Sequence, residues 1–234
     1  MSIKLFDVVN FDLMNMIRLE FTPVAIEFVN KLTNFSAILA VSDRDAPTLR
    51  LVKAEMSLVE RRAEGAQVIQ KQSSSLHEDP IVLIRFNQYS GYALSIAKGG
   101  VPEVWDPETL ELPPQFELIS DTDLYEMCEC DIINAEFSRK WLVVLSRDTR
   151  LFVFSQDTLK LVTTIDESLP RFLKDQENCE TPDTLKVADV DRRLALEESY
   201  LLQSSQQASV SIDETETFVC FATPIGIKML NLKT

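Results

Sequence analysis

Several short stretches alternate apolar and polar side chains with a period of two, the spacing of a half-buried strand. Ile81–Phe86, Ile132–Phe137 and Ala208–Ile212 read this way, each followed by a polar turn. A second apolar run then follows each of them: Tyr92–Ile96, Trp141–Leu145 and Phe218–Ala222. β-Branched and aromatic residues fill these runs, which favours strand over helix. A further strand-like run recurs as Ile3–Val9, Val104-Trp105-Asp106, Val153-Phe154-Ser155, Ile227–Lys233 and, more loosely, Leu51-Val52-Lys53.

Taking Phe6, Val52, Trp105, Phe154 and Leu230 as equivalents gives spacings of 46, 53, 49 and 76 residues. Three of these lie near the roughly 40–45 residues of a four-stranded propeller blade, whose signature dipeptide is Trp-Asp. The pattern predicts an all-β fold: a partial WD-repeat β-propeller of about three full blades plus two incomplete ones, occupying residues 1–234. An unrelated β-sandwich is the competing architecture, since Trp105-Asp106 is the one true Trp-Asp and the chain has only 5 glycines. Ile3–Val9 reads as the third strand of a blade lacking its first two strands. Gly226–Lys233 reads as another third strand, lacking a fourth. Two such ends do not complete one another, so the chain is expected to be part of a larger protein.

The long interval holds one helical insertion, about residues 166–207. Thr181-Pro182-Asp183 is a helix start, with Thr at the N-cap and Pro at the first helical position. Val187, Val190, Leu194 and Leu201 follow near helical spacing, so a helix is expected from about Pro182 to Gln203. It is either a flap packed on the fold's rim or a partner-binding helix. Ala63–Pro80, with its Gln-Ser-Ser-Ser, reads as a loop between blades.

Charge narrows the partners. The chain carries 23 Lys+Arg against 37 Asp+Glu, a net charge of −14. Residues 1–100 hold 11 of each sign, so the whole acidic excess lies after Gly100. Nucleic-acid affinity depends on basic groups displacing counterions, so direct nucleic-acid binding is not expected. No apolar run reaches the roughly 18 residues of a membrane-spanning helix, and no membrane association is expected. The N-terminus lacks a secretory signal, and the 4 cysteines make no disulfide framework, which points to cytosol or nucleus.

Catalytic signals are sparse. The single histidine, His77, sits beside Ser73-Ser74-Ser75, but neighbours in one loop do not hold the geometry of a triad, and no Gly-x-Ser-x-Gly turn occurs. His77 reads as an exposed loop residue. Cys128 and Cys130 form a Cys-x-Cys, yet neither Cys179 nor Cys220 supplies the second pair a structural zinc would need. No phosphate-cradling glycine loop is present. No cofactor, metal or small-molecule substrate is expected. Asp121, Asp123, Glu126, Glu129 and Asp131 place five acids in eleven residues without a base. Their spacing is not that of a calcium loop. With Tyr125 they form either a solvated inter-blade loop or a docking patch for a basic partner.

Phe6-Asp-Val-Val-Asn-Phe-Asp-Leu-Met-Asn-Met-Ile17, Asp121-Thr-Asp-Leu-Tyr-Glu126, Asp166-Glu-Ser-Leu169, Arg192-Arg-Leu-Ala-Leu-Glu197 and Phe218–Leu232 together resemble one family. It is the peptidyl-prolyl isomerase domain and WD repeat-containing proteins, nuclear cyclophilins with an N-terminal propeller. The resemblance spans essentially the whole chain and covers part of that propeller. It implies a protein-binding, spliceosome-associated scaffold in the nucleus, with the cytoplasm as alternative, and spliceosomal proteins as partners. The family's catalytic domain opens on Phe-His-Arg and carries Phe-Met-x-Gln-Gly-Gly-Asp. Neither occurs here, so no catalytic residue carries over and the chain itself is not expected to be an enzyme. The alternative is a fragment of an active prolyl isomerase whose catalytic domain lies beyond Thr234 and which assists pre-mRNA splicing.

Overall fold

The computed structural model describes residues 1–31, 37–54, 69–117, 132–177, 187–202, 208–223 and 226–232. The chain divides into two compact units, Met1–Leu118 and Ile119–Thr234. Both are built from antiparallel meanders, in which consecutive strands pair with their sequence neighbours. The fold is all-β and propeller-like with a helical insertion, as the alternation predicts.

In the first unit, β1 (Ser2–Phe6) and β2 (Leu13–Arg18) form a two-stranded ribbon. A four-stranded sheet follows in the order β3 (Pro23–Phe28), β4 (Ile38–Asp43), β5 (Leu49–Lys53) and β6 (Ile69–Ser73). The third sheet is β7 (Ile81–Asn87), β8 (Tyr92–Ala97) and β9 (Pro102–Trp105), with a short helical turn, α1 (Pro114–Glu117), after it. At β4 the middle sheet is covered on both faces, so Ile38–Val41 is a continuous apolar run rather than an alternating one. Leu39 and Val41 pack with Val52, Ala54 and the ribbon's Ile3 and Ile17. Ala40, Leu49 and Leu51 pack the other way, against Ile81, Ile84, Ala93 and Trp105.

In the second unit, β10 (Ile132–Phe137), β11 (Trp141–Ser146), β12 (Arg150–Ser155) and β13 (Leu161–Asp166) form a four-stranded sheet. A three-stranded sheet is made by β14 (Val210–Ile212), β15 (Phe218–Thr223) and β16 (Gly226–Asn231). The two share a core of Ile133, Val143, Leu145, Leu151 and Val153 with Val210, Val219 and Phe221, and Trp141 packs against it half-buried.

Four of the five equivalent positions fall at the same place in their sheets. Val52, Trp105, Phe154 and Leu230 each lie on the third strand of a sheet, and Phe6 lies on the ribbon. Two sheets have all four strands; the third expected full blade has three described strands, and residues 118–131 after it lie outside the described residues.

Two readings need correction. The supposed loop Ala63–Pro80 contains β6, whose Lys71 and Gln72 are those of an outer strand; backbone pairing to β5, not an apolar face, defines it. Among the described residues the insertion holds two helices rather than one. α3 (Val187–Leu202) matches the expected helix, whose proposed start at Pro182 lies outside the described residues. α2 (Leu169–Glu177) was not anticipated. Pro170 opens it, and Leu169 and Phe172 bury its apolar side. Lys228 of β16 lies over the Phe172 ring at 5.8 Å and pairs with Glu167 at 3.0 Å, tying α2 to the last sheet.

Candidate interaction surface

Trp105 and Asp106 fasten the first unit internally. The Trp105 indole N–H donates to Ser95 Oγ at 3.0 Å, and Ser95 Oγ lies 2.7 Å from His77 Nε2. The indole can only donate. The Ser95 hydroxyl, with one hydrogen and two lone pairs, accepts from the indole and still has capacity for the His77 ring nitrogen. Burial lowers the His77 pKa from 6.5 to about 4, which favours the neutral imidazole. His77 is 6% exposed, so the expectation of an exposed loop histidine is overturned: its ring nitrogen bonds Ser95 of β8, the residue that also takes the Trp105 indole N–H of β9. The Ser–His contact resembles a nucleophile and its base. Ser95, however, is fully buried and also bonded to the indole, so this hydroxyl links strands rather than facing a substrate.

Asp106 works on the outside of the same corner. One carboxylate oxygen accepts the Glu108 N–H at 2.7 Å; the other meets Lys31 Nζ at 2.8 Å. Lys31 follows β3, so this half-buried pair joins the second sheet to the third. The Lys31 stem also lies over Gly91, where an added Cβ would come within 3.3 Å of it.

What these contacts leave free is apolar and exposed. The turn Asp7–Asp12 between β1 and β2 lies within the stretch Phe6-Asp-Val-Val-Asn-Phe-Asp. Asp7 organises it: its carboxylate accepts the Val9 N–H at 2.9 Å and the Asn10 side-chain amide at 2.7 Å, while its own N–H donates to Asp12 O. These bonds, the Val9 one foremost, hold the Asp7 pKa below its ordinary value. Val8, Val9 and Phe11 are consequently held out at 80–83% exposure, and Phe11 takes a left-handed φ of 58°. No core contact accounts for three apolar side chains on so ordered a turn.

Other candidates are less complete. All of Asp121, Asp123, Tyr125, Glu126, Glu129 and Asp131 lie outside the described residues, as do Cys128, Cys130 and Cys179. Cys220 is a free, half-buried thiol on β15. An open polar groove of about 390 Å³ is lined by Lys71, Gln72, Ser73, Ser75, Thr109 and neighbours. Among the described residues no group of three His, Cys, Asp or Glu side chains is placed to hold a metal, and no helix is long and apolar enough to cross a membrane.

Meanders whose third strands repeat, one of them ending in Trp105-Asp106, define an all-β propeller-like protein. The comparisons narrow this. The peptidyl-prolyl cis-trans isomerase CYP71 of Arabidopsis thaliana is 34% identical over 242 residues, covering 100% of this chain and 37% of that protein. The peptidylprolyl isomerase domain and WD repeat-containing protein 1 of Homo sapiens is 28% identical over 243 residues, covering 100% of this chain and 36% of its own length. Peptidyl-prolyl cis-trans isomerase 9 of Schizosaccharomyces pombe is 25% identical over 247 residues, covering 99% and 39%. No protein-family model matches the chain. Among solved structures, the computationally designed Ika8 protein aligns over 90% of this chain and 46% of its own, at 14% identity and a TM-score of 0.48. The chain thus resembles, over its whole length, a part of the peptidylprolyl isomerase domain and WD repeat-containing proteins and related cyclophilin-type isomerases. It spans a little over a third of the length of the curated relatives it matches.

Proposed function

We propose that this chain is a protein-interaction scaffold: the propeller region of a spliceosome-associated prolyl isomerase, itself without the cyclophilin catalytic domain. The observation that carries this reading is the whole-chain match to only part of proteins named as isomerases. The ordered, apolar β1–β2 turn supports it by offering a protein contact that the fold does not consume. The partners are spliceosomal proteins and the compartment is the nucleus. Acidic charge after Gly100 favours protein partners over RNA.

The test is capture of partners from nuclear extract by the tagged chain, alongside a Val9→Asp, Phe11→Ser double variant. The expected result is enrichment of splicing proteins by the parent chain and a loss of at least several-fold in the variant. Recovery of no splicing protein by either would overturn the scaffold reading. Prolyl isomerase turnover by the 234-residue chain itself would overturn its non-catalytic part.

A further inference from the structure

The polar groove of the first unit is edged by a run of three serines. Ser73 ends β6, and Ser74 and Ser75 follow it, both exposed. Ser73 and Ser75 line the groove with Lys71, Gln72, Thr109 and Glu111. Ser75 leans on its neighbour: its Oγ lies 3.2 Å from Ser73 Oγ, and its N–H donates to the same oxygen at 3.4 Å. Glu78 and Asp79, three and four residues further on, are exposed as well. A hydroxyl followed at that distance by two carboxylates is what a kinase with a basic substrate cleft selects, through charge complementarity.

Spacing alone does not single out Ser75. Ser42, Thr163, Thr164 and Ser211 also have an acid three residues on, but each is paired across a ladder, with Leu49, Val153, Phe152 and Cys220. A kinase lays its substrate as an extended segment in its own cleft, so a strand locked between neighbours is no substrate. Ser57 and Ser120 share the spacing and lie outside the described residues. Ser75 is thus, among the described residues, the hydroxyl of this kind that stands off the strands. Its segment is held by side chains: Leu76 packs half-buried on the core, and His77 rests on Ser95 at 2.7 Å. Lifting Ser74–Asp79 gives up those contacts but no strand pairing, because β6 ends at Ser73 and β7 begins at Ile81.

We infer that Ser75 is a phosphorylation site for an acid-directed protein kinase, and that the phosphate added there lies in the groove beside Lys71. The Ser75 oxygen attacks the γ-phosphorus of ATP, forming a P–O bond as the bond to the β,γ-bridging oxygen breaks. ADP leaves, and the hydroxyl proton passes to the kinase's catalytic base. The groove, open and of about 390 Å³, has room for the group. Lys71 is the one cation among the residues lining it; Glu111 lines it too, and Glu78 and Asp79 follow in the chain. A phosphate carrying about −1.5 to −2 charges draws that ammonium, which otherwise donates to the Glu108 carbonyl. Lys71 belongs to the second sheet and Glu108 follows the third, so the modification acts where these two sheets meet.

The test treats the full chain with ATP and a constitutively active acid-directed Ser/Thr kinase, read by intact and fragment mass spectrometry. A phosphoryl group is expected at Ser75 and should be absent from that position in Ser75→Ala. Glu78→Gln with Asp79→Asn should slow its addition several-fold. Circular dichroism checks that the fold is kept, and Glu78→Gln alone replaces the pair if it is not. Phosphorus NMR then follows the second ionisation of the phosphoserine, ordinarily near about 6. That ionisation should move to higher pH in Lys71→Gln than in the parent, because the cation favours the dianion. A Ser75 left bare, with labelling at Ser57, Ser120 or a strand hydroxyl or with none at all, overturns the inference. A rate indifferent to the two acids overturns it as well, and an ionisation unmoved by Lys71→Gln overturns the placing of the phosphate. The β1–β2 turn takes no part in this, so the scaffold reading and the modification can fail separately.

Discussion

At the residue scale, His77 does more for the fold than its loop setting suggests. Removing the hydroxyl by Ser95→Ala leaves a buried indole N–H and a buried imidazole nitrogen without their partner. The expected loss is about 1–3 kcal/mol of unfolding free energy, read by urea denaturation. The same group sets a pH dependence. Unfolded, the imidazole takes up its proton near 6.5; folded, it does so only near about 4. Between those values the unfolded chain holds the extra proton, so stability falls as pH falls through that window and then levels off. The window amounts to about 3 kcal/mol at most, and His77→Gln should flatten that part of a stability-against-pH curve. None of this is legible in Ser-Ser-Ser-Leu-His: the partner Ser95, and the Trp105 that shares it, lie on strands that follow. Trp105 itself was legible, through the dipeptide it begins.

At the element scale, period-two alternation and apolar runs located β7, β8, β10, β11, β14 and β15, while β2, β3 and β4 went unread. It failed outright at β6, read as a loop, where pairing to β5 makes the strand. The helix α3 was visible from its apolar spacing; α2 was missed because its two buried residues, Leu169 and Phe172, make only one turn's worth of pattern. Pro170 was the signal that could have found it. The apolar turn Val8–Phe11 lies in a stretch that carries the family resemblance, but its exposure depends on Asp7 folding its carboxylate under the backbone, which spacing does not reveal. Turns also give a direct check. Gly100 closes the β8–β9 connection at φ 82°, a conformation in which a Cβ crowds the following carbonyl. Gly100→Ala should cost about 1 kcal/mol, measured by the same denaturation, with strand content unchanged by circular dichroism.

At the scale of the whole molecule, sequence reading reached the fold class because the repeats are a property of many residues together. It reached less of the surface, since exposure is decided by which neighbouring strand is present. Val24, Ile26 and Phe28 alternate like any half-buried strand, yet they face outward. The distribution of the two tryptophans has a practical result. Trp105 lies fully buried in the first unit and Trp141 half-buried in the second, so intrinsic fluorescence gives each unit its own optical reporter. In Trp141→Phe, the remaining indole should emit at short wavelength and shift to the red only as Met1–Leu118 opens. In Trp105→Phe, the signal should follow Ile119–Thr234 alone. Superimposable melting curves from the two variants, once the cost of each substitution is subtracted, would mean that the halves melt as one cooperative body; separated curves would give each half its own melting temperature.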